Sequence, residues 1–191
     1  MRDTAPHILL MQKPFLQGTS CDLRALQPED ANERYLSWFH DAETCRYNTH
    51  HRFPMTAQTL QAYVQEVSAS KTAVVLAIVE KESERHVGNI ALQGIDPIAR
   101  TAELAILIGE EEARGKGIGR EACALMIRHG FLTLGLNRIW LGTMATNTGM
   151  RRVAEALGFT QEGVLRQANY TDGTFVDGVI YGLLATDPQV S

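Results

Sequence analysis

The sequence predicts one α/β or α+β domain, with a central sheet between two layers of helices. Apolar runs of strand length recur from residue 73 onward, and segments with helical spacing of apolar residues precede and separate them. No internal repeat, low-complexity tract or Ser/Gly-rich linker divides the 191 residues, and a chain of this length suits one domain. Strands interleaved with helices favour helices on both faces of one sheet.

The N-terminal part is predicted to contribute little regular structure. Residues 1–20 form a lightly structured lead-in, punctuated by Pro14 and Gly18, and the domain is predicted to span residues 21–187. The apolar residues 8–11 are too few for a secretory or membrane-spanning segment. The first strand is predicted at residues 21–26.

Two helices are predicted before the main group of strands. Pro28 fits the first position of a helix, and Tyr35 and Trp38 follow at helical spacing. Residues 41–54 are polar and irregular, which predicts a long loop. Thr56 is then predicted to cap the second helix.

After residue 73 the pattern changes to short apolar runs, which are typical of buried strands. Gly158 is predicted to end the last helix as its C-terminal cap. Together with the strand at residues 21–26, these runs predict a sheet of about seven strands. The further strands are predicted at residues 73–79, 87–95, 102–108, 138–143, 159–165 and 175–184, and the helices at residues 117–134 and 148–157.

Composition and charge narrow the classes of function. The net charge is −4 and there is no Lys/Arg cluster to neutralise phosphates, so a general nucleic-acid binder is not expected. Cys21, Cys45 and Cys123 are odd in number and lack the spacing of zinc ligands or of a disulfide framework. We therefore expect reduced thiols, no metal site, no membrane association and a cytoplasmic location. The sequence leaves open whether the chain forms a homodimer.

A glycine-rich segment between a predicted strand and a long predicted helix carries the strongest chemical signal. Its alternating glycines let the backbone curl, so that several N–H groups point into one concavity. The N-terminus of the following helix adds unpaired donors and the positive end of the helix dipole. The pattern predicts a diphosphate site made of Arg114, Gly115, Lys116, Gly117, Ile118 and Gly119.

Other interpretations of this segment are a nucleotide-binding loop or a solvated turn. The Gly-Lys pair lacks the four-residue spacing and the following Ser or Thr of a P-loop. The glycines run GxGxG, whereas the dinucleotide fingerprint requires GxGxxG. A solvent-exposed turn before a helix is the alternative that the segment by itself leaves open.

The wider context resembles the GNAT acetyltransferases. Arg-x-x-Gly-x-Gly at residues 114–119, after a strand and before a helix, resembles the acyl-CoA signature of that family. Residues 147–159, which end in Leu-Gly-Phe, resemble its second motif, and residues 163–184 resemble its terminal strands. Residues 15–30 resemble the start of the ribosomal-protein N-terminal branch, and the overall pattern is closest to the ribosomal-protein, spermidine and amino-sugar acetyltransferases.

The resemblance covers residues 14–185 and implies the GNAT fold. That fold has a mixed, mostly antiparallel sheet, splayed between the fourth and fifth of about seven strands, with helices on both faces. The resemblance also implies that acetyl-CoA is the acyl donor and that no metal is used. Its pyrophosphate would lie on the loop at residues 114–119. Its pantetheine arm would lie in the splay, against the backbone of Ile106, Leu107 and Ile108.

The family's catalytic residues carry over only in part. Glu103 is the first candidate for the base that deprotonates the amine, directly or through a water, and its alternative role is that of a solvent-facing strand residue. Asn147 matches an asparagine that reaches the cofactor arm, but asparagine is equally a preferred helix cap. Ala154 replaces the usual proton-donating tyrosine, and Met150 replaces the serine of the ribosomal-protein branch. The proton donor is therefore unassigned, with Tyr170 as a substitute.

The acceptor is expected to bind under the irregular segment at residues 41–54. His50 and His51 are candidates for a base or a substrate contact, with solvated loop histidines as the alternative, and Tyr170 is a third candidate. We expect a small-molecule amine, either a polyamine or an amino sugar. The alternatives are a protein N-terminal amine, a non-catalytic acyl-CoA-binding module and, more distantly, a nucleotide phosphotransferase.

Overall fold

The computed structural model describes residues 13–188, and within this part of the chain eight strands form one sheet. The fold is mixed α/β, as predicted, with strands and helices in the expected order; the strand predicted at residues 159–165 continues to Thr171, six residues beyond the predicted end. The strands are β1 (Leu16–Gln17), β2 (Cys21–Ala25), β3 (Val74–Glu80), β4 (Arg85–Asp96), β5 (Thr101–Ile108), β6 (Arg138–Met144), β7 (Thr160–Thr171) and β8 (Thr174–Leu184). The α-helices are α1 (Glu33–His40), α2 (Ala57–Ala69), α3 (Ile118–Leu132) and α4 (Thr148–Ala156).

The sheet is antiparallel except at one junction. The strand order is β1-β2-β3-β4-β5-β6-β8-β7, and only the pair β5–β6 is parallel among the described residues. The eighth strand, beyond the seven predicted, is β1, which pairs with β2 and lies within the segment assigned to the lead-in. A strand of two residues is too short to give an alternating pattern in the sequence.

The two faces of the sheet are covered by different helices. On one face, α1 and α2 pack through Tyr35, Trp38 and Leu60 against a cluster that includes Leu107 of β5. On the other face, α3 and α4 pack against a larger cluster that includes Leu104 of β5. Because side chains alternate between faces along a strand, even-numbered residues of β5 face α3 and odd-numbered residues face α1 and α2.

The junction between β5 and β6 opens after three residue pairs. Thr101, Ala102 and Glu103 pair with Arg138, Ile139 and Trp140, and no further pair follows. Beyond that point β5 stays paired with β4 as far as Ile108, and β6 stays paired with β8 as far as Met144. Residues 104–108 of β5 therefore leave one edge of their backbone open, as predicted for a splayed sheet.

The predicted start of α1 at Pro28 is wrong by five residues. Pro28–Asp30 forms a single 3-10 turn, and α1 begins at Glu33 after Asn32, whose side chain accepts a hydrogen bond from the Tyr35 amide. Asp30 is held instead by the Arg24 guanidinium at 2.6 Å, a contact from the neighbouring strand. Asn32 therefore starts α1 after this turn, whereas Thr56 caps α2 as the sequence predicts.

A carboxylate on α3 holds the turn between β1 and β2. Glu121 accepts hydrogen bonds from the amides of Thr19, Ser20 and Cys21 and from the Ser20 hydroxyl. Gly18 makes this approach possible, because a Cβ there would lie only 2.8 Å from Glu121 Oε1. These hydrogen bonds, called here the Glu121 clamp, fix the first turn of α3, which directly follows the glycine-rich segment.

Among residues 13–188, no helix is long and apolar enough to cross a membrane.

Replacing Glu121 with Gln is expected to lower the free energy of unfolding by about 1–2 kcal/mol, since several donors lose a charged acceptor. Burial by itself raises the pKa of Glu121, but the hydrogen bonds from Ser20 and its neighbours outweigh this effect and lower the pKa to about 2. The folded-state pKa thus lies below the ordinary value of about 4.5 for a glutamate. The stabilisation is therefore complete above about pH 5 and is lost as the pH falls toward 2.

Chemical denaturation of the wild type and Glu121→Gln between about pH 3 and pH 7 measures this difference. Glu66→Gln, on an exposed position of α2, is the control and should unfold like the wild type at every pH. If the difference in the free energy of unfolding between Glu121→Gln and the wild type does not shrink toward pH 3, the stabilising role of the Glu121 clamp is contradicted.

Candidate active site

The opening between β5 and β6 is the central feature of the site. The two strands are parallel, so their carboxyl ends lie at the same edge of the sheet. The chain leaves β5 toward α3 and leaves β6 toward α4, and the N-termini of both helices therefore lie at this edge. Crevices at the carboxyl ends of parallel strands are common ligand sites, because open backbone groups and helix dipoles meet there.

The three β5 residues predicted to hold a cofactor arm lie along this opening. Ile106 and Ile108 pack into the core under α3, and Leu107 packs against the α1–α2 layer. Their side chains thus belong to the core on both faces, while one edge of their backbone is free of strand pairing. This arrangement leaves N–H and C=O groups that need a partner from water or a ligand.

The glycine-rich segment curls at the mouth of the opening. Gly115 and Gly117 have φ angles of +75° and +86°, a backbone region that side chains with a Cβ rarely adopt. Gly119 is helical, and a Cβ there would meet Ile106 and Ile108 at an ordinary 3.7 Å. Among residues 13–188, no hydrogen bond is donated by the amides of residues 115–120. The segment therefore presents a row of unpaired donors.

The two cations of this segment are both held by the protein. The Arg114 guanidinium donates to the carbonyl oxygens of Ile108 and Gly109 and, at 2.6 Å, to the Thr44 hydroxyl. It therefore ties the end of β5 to the long loop. The Lys116 ammonium lies 3.0 Å from the Glu80 carboxylate, with nearly half of its side chain exposed. Lys116 keeps the freedom to turn toward an anion, whereas Arg114 has a structural task.

Asn147 caps α4 with its side chain. Its Oδ1 accepts from the Met150 amide at 3.1 Å, and its Nδ2 donates to the Thr143 hydroxyl at 3.1 Å. One hydrogen on Nδ2 stays available, so capping does not use all of its donor capacity.

Glu103 lies at the closed end of the opening. It is the last β5 residue to pair with β6, and its carboxylate accepts a hydrogen bond from Gln93 at 3.0 Å. The alternation of β5 places Glu103 on the same face as Leu107, under the α1–α2 layer. The side chain is half-buried and forms no ion pair with any of residues 13–188.

The three predicted acceptor residues lie where the loop between α1 and α2 meets the β7–β8 hairpin. His51 contacts the Phe39 carbonyl oxygen through Nδ1 at 3.0 Å, and the ring of His50 packs edge-on against the Phe39 ring. Burial lowers the pKa of His50. Arg52 then donates to the Tyr170 carbonyl oxygen across this junction. The histidines therefore anchor the loop on α1, and they form no hydrogen bond or ion pair with Glu103 in the described part of the chain.

Two cavities flank the opening. The larger, about 240 Å³, lies beside the end of β5, where Trp38 donates to Glu110 at 2.8 Å. Gly109 is required there, since a Cβ would lie 2.0 Å from the Trp38 ring. The smaller, about 150 Å³, lies between the long loop and the hairpin and is lined by Arg46, Tyr47, Thr146, Thr171, Asp172, Thr174 and Val176.

Sequence reasoning missed the residues that depend on neighbouring strands. Gln93 and Trp140 flank Glu103 on β4 and β6 by their register. The signal available for Trp140 was its alternation with the buried Ile139 and Leu141, which places it on the opposite face.

Ala154 is fully buried and Met150 is half-buried, so neither position supplies a proton donor. Within residues 13–188, no group of three or more His, Cys, Asp or Glu side chains forms a metal site.

The glycines of the loop are expected to differ in what the fold demands of them. Gly117→Ala should lower the free energy of unfolding by about 1–2 kcal/mol, because its left-handed backbone excludes a Cβ without strain. Gly119→Ala should leave stability unchanged or raise it by up to about 1 kcal/mol, because the helix tolerates alanine there. Chemical denaturation of both variants tests this, and equal destabilisation would contradict the described backbone.

Comparison with known proteins assigns the chain to a family. The family model described as acetyltransferase (GNAT) domain matches residues 22–160. The SPbeta prophage-derived uncharacterized N-acetyltransferase YokL of Bacillus subtilis strain 168 is 29% identical over 174 residues, which cover 91% of this chain and 94% of the relative.

Two solved structures share the fold at lower identity. RimL, a ribosomal L7/L12 alpha-N-protein acetyltransferase in complex with coenzyme A, superimposes with a TM-score of 0.79 at 20% identity, covering 87% of this chain and 95% of that one. A spermidine N-acetyltransferase from Vibrio cholerae, in complex with CoA and spermine, gives a TM-score of 0.78 at 22% identity, covering 86% of this chain and 95% of that one. The family match, the near full-length relative and the shared fold agree: the chain belongs to the GNAT family and is an N-acetyltransferase.

Proposed function

We propose that this chain transfers the acetyl group of acetyl-CoA to a primary amine, by direct attack of the amine in a ternary complex. The observation that carries the proposal is the loss of β5–β6 pairing after Glu103, next to a loop with a row of unpaired amides. Residues 21–187, together with the short strand β1 (Leu16–Gln17), form the catalytic domain. The three cysteines are buried and unbridged, which supports a reducing, cytoplasmic location.

The donor is placed by backbone groups. The diphosphate lies on the amides of residues 115–119, at the positive end of the α3 dipole, and Lys116 turns from Glu80 to add charge. The pantetheine arm lies along the open edge of residues 106–108, and the free Nδ2 hydrogen of Asn147 reaches it. Solved structures that share this fold carry CoA, which supports the same donor here.

The chemistry uses few side chains. Glu103 takes a proton from the ammonium form of the acceptor, and the neutral amine then attacks the thioester carbonyl carbon. The C–N bond forms, and an amide N–H near Ile106 stabilises the oxyanion. The C–S bond breaks as the carbonyl reforms, and the attacking nitrogen, cationic after C–N bond formation, loses its second proton to solvent water or to the departing thiolate, which leaves the neutral amide and CoA. Glu103 and Ile106 are about 10 Å apart along the strand at about 3.3 Å per residue, so a water relays the proton.

The departing thiolate needs little assistance. A thiol has an ordinary pKa near ~8.5, so its conjugate base is a tolerable leaving group at neutral pH. Neither Ala154 nor Met150 offers a proton. Tyr170, whose side chain is half-exposed in the β7–β8 hairpin, is the side chain that donates a proton to the thiolate. Solvent water is the other source of this proton.

The acceptor is a small-molecule amine, a polyamine or an amino sugar, that enters between the long loop and the hairpin. His50, His51 and Tyr170 border this entrance. A protein N-terminal amine is the alternative, since one solved structure with this fold is a ribosomal-protein acetyltransferase and another is a spermidine acetyltransferase. CoA release from acetyl-CoA against spermidine, glucosamine and short N-terminal peptides separates the three, and turnover with none of them contradicts the proposal.

Glu103→Gln is expected to lower kcat/KM by about 10²–10⁴, because amide replaces carboxylate at the base while the Gln93 contact can persist. The KM for acetyl-CoA should stay within about threefold. Glu66→Gln, remote from the opening, is the control. An effect of Glu103→Gln below about threefold at the optimal pH would remove Glu103 from this role.

Gly119→Ala is expected to raise the KM for acetyl-CoA roughly tenfold or more with little change in kcat. A methyl group beside the unpaired amides keeps the diphosphate away from at least one charge-assisted hydrogen bond, worth about 1.5–3 kcal/mol. Steady-state kinetics with varied acetyl-CoA measure the change. Because the fold tolerates this methyl, an unchanged KM would show that the diphosphate lies elsewhere.

A further inference from the structure

Trp140 stands beside Glu103 on a face of the sheet that the donor site does not use. The register pairs the two residues directly across the β5–β6 junction, so their side chains share a face. Ile139 and Leu141 pack into the core under α3, which places Trp140 on the opposite face, toward the α1–α2 layer. Gln93 flanks Glu103 from the other side.

The indole of Trp140 is held against the sheet but is not used by the protein. Its Cζ3 lies 3.9 Å from where a Cβ on Gly142 would be, so the ring packs over the backbone of Gly142. The ring is half-buried, and its Nε1 forms no hydrogen bond with any of residues 13–188. None of the described buried polar side-chain atoms lacks a partner, so this Nε1 is open to solvent.

The space in front of this pair is shaped by small residues. Ala105 follows Glu103 on the same face of β5, and Gly142 follows Trp140 on the same face of β6. Farther out, the Arg52–Tyr170 contact crosses from the long loop to the hairpin, on the two sides of the opening. Glu103 and Trp140 thus lie at the closed end of the opening, with small residues next to them on the α1–α2 face.

The charge around Glu103 and Trp140 is negative. Glu103 has no cationic partner among the described residues, and Gln93 is a neutral donor. The nearest cation on the same face of β6 is Arg138, two residues before Trp140, and Glu162 neutralises it through two hydrogen bonds, one of 2.6 Å. A carboxylate without a counter-ion beside an accessible indole is suited to a cation, because the ring face and the carboxylate both attract positive charge.

We propose that Trp140 is a specificity-determining residue that binds the acceptor, with its indole face against the ammonium-bearing alkyl chain and Glu103 as the counter-ion. The inference rests on the proposed acetyl transfer and adds the class of acceptor: a protonated primary alkylamine. Such an amine is presented by a polyamine or by a peptide N-terminus. An amino sugar carries its amine directly on a ring carbon, so it has no ammonium-bearing alkyl chain to place along the indole.

Two variants and one control separate ring chemistry from packing. Trp140→Leu removes the aromatic face, Trp140→Phe keeps one, and Phe15→Leu removes an exposed aromatic ring next to β1, at the far edge of the sheet. The probes are spermidine, a short peptide with a free N-terminal amine, and glucosamine, each at saturating acetyl-CoA. Trp140→Leu should raise the KM for the better alkylamine about threefold to thirtyfold, the range of a cation–π contact. Trp140→Phe and Phe15→Leu should stay within threefold.

A binding readout covers the case in which turnover is weak. The chain has two tryptophans, so wild-type emission minus that of Trp140→Phe reports on Trp140 in the presence of CoA. Spermidine or the peptide should change this difference spectrum, and glucosamine should not. If all variants bind CoA equally, but neither alkylamine changes the difference spectrum and Trp140→Leu does not change the KM for either of them, the role of Trp140 is overturned. The donor site then stands. Failure of acetyl-CoA to bind the wild type overturns the proposed function itself.

Discussion

The divergence of β5 from β6 after Glu103 is the constraint on which the rest of the site depends. Each strand keeps its antiparallel partner along the whole divergence, β4 for β5 and β8 for β6. Only parallel pairing is given up, and parallel ladders are slightly less stable per residue than antiparallel ones. The open edges create backbone donors and acceptors that the protein does not satisfy by itself, and a linear, amide-containing ligand can satisfy them.

Contacts on both faces of the sheet hold the end of β5 and the start of α3 in place. Trp38 packs on Gly109 and donates to Glu110, which holds the end of β5 toward α1. Arg114 closes the same corner through the last carbonyl groups of the strand. Glu121 clamps the first turn of α3 to the β1–β2 turn, so the amides of the glycine-rich loop start from a rigid helix. The opening is therefore built into the fold. The proposed acetyl-CoA site lies along the open edge of β5, and the proposed acceptor site lies beside Glu103 and Trp140 on the α1–α2 face.

Local patterns in the sequence predict most of the fold and the donor loop, because strand and helix periods and a glycine-rich turn are properties of contiguous residues. The start of α1 was wrong because Asp30 closes a 3-10 turn with Gln27 and is held by Arg24, and Asn32 caps the helix instead. The two-residue β1 carries no periodic signal. Trp140 was missed because its position next to Glu103 depends on a parallel register between strands separated by α3. The roles assigned to Glu103 and the acceptor residues stay predictions, since they depend on where an amine lies.

The most direct measurement of the central claim is amide chemical-shift mapping by NMR during titration with CoA. We predict that the largest changes fall on the amides of residues 115–119 and on those amides of residues 104–108 that point away from β4, because the fold leaves these groups without partners, with smaller changes at the start of α4. The amides of β1, β2 and the outer edge of β7 should not respond. Changes confined to other surfaces, with residues 104–108 unaffected at saturating CoA, would contradict the assignment of the β5–β6 opening as the donor site.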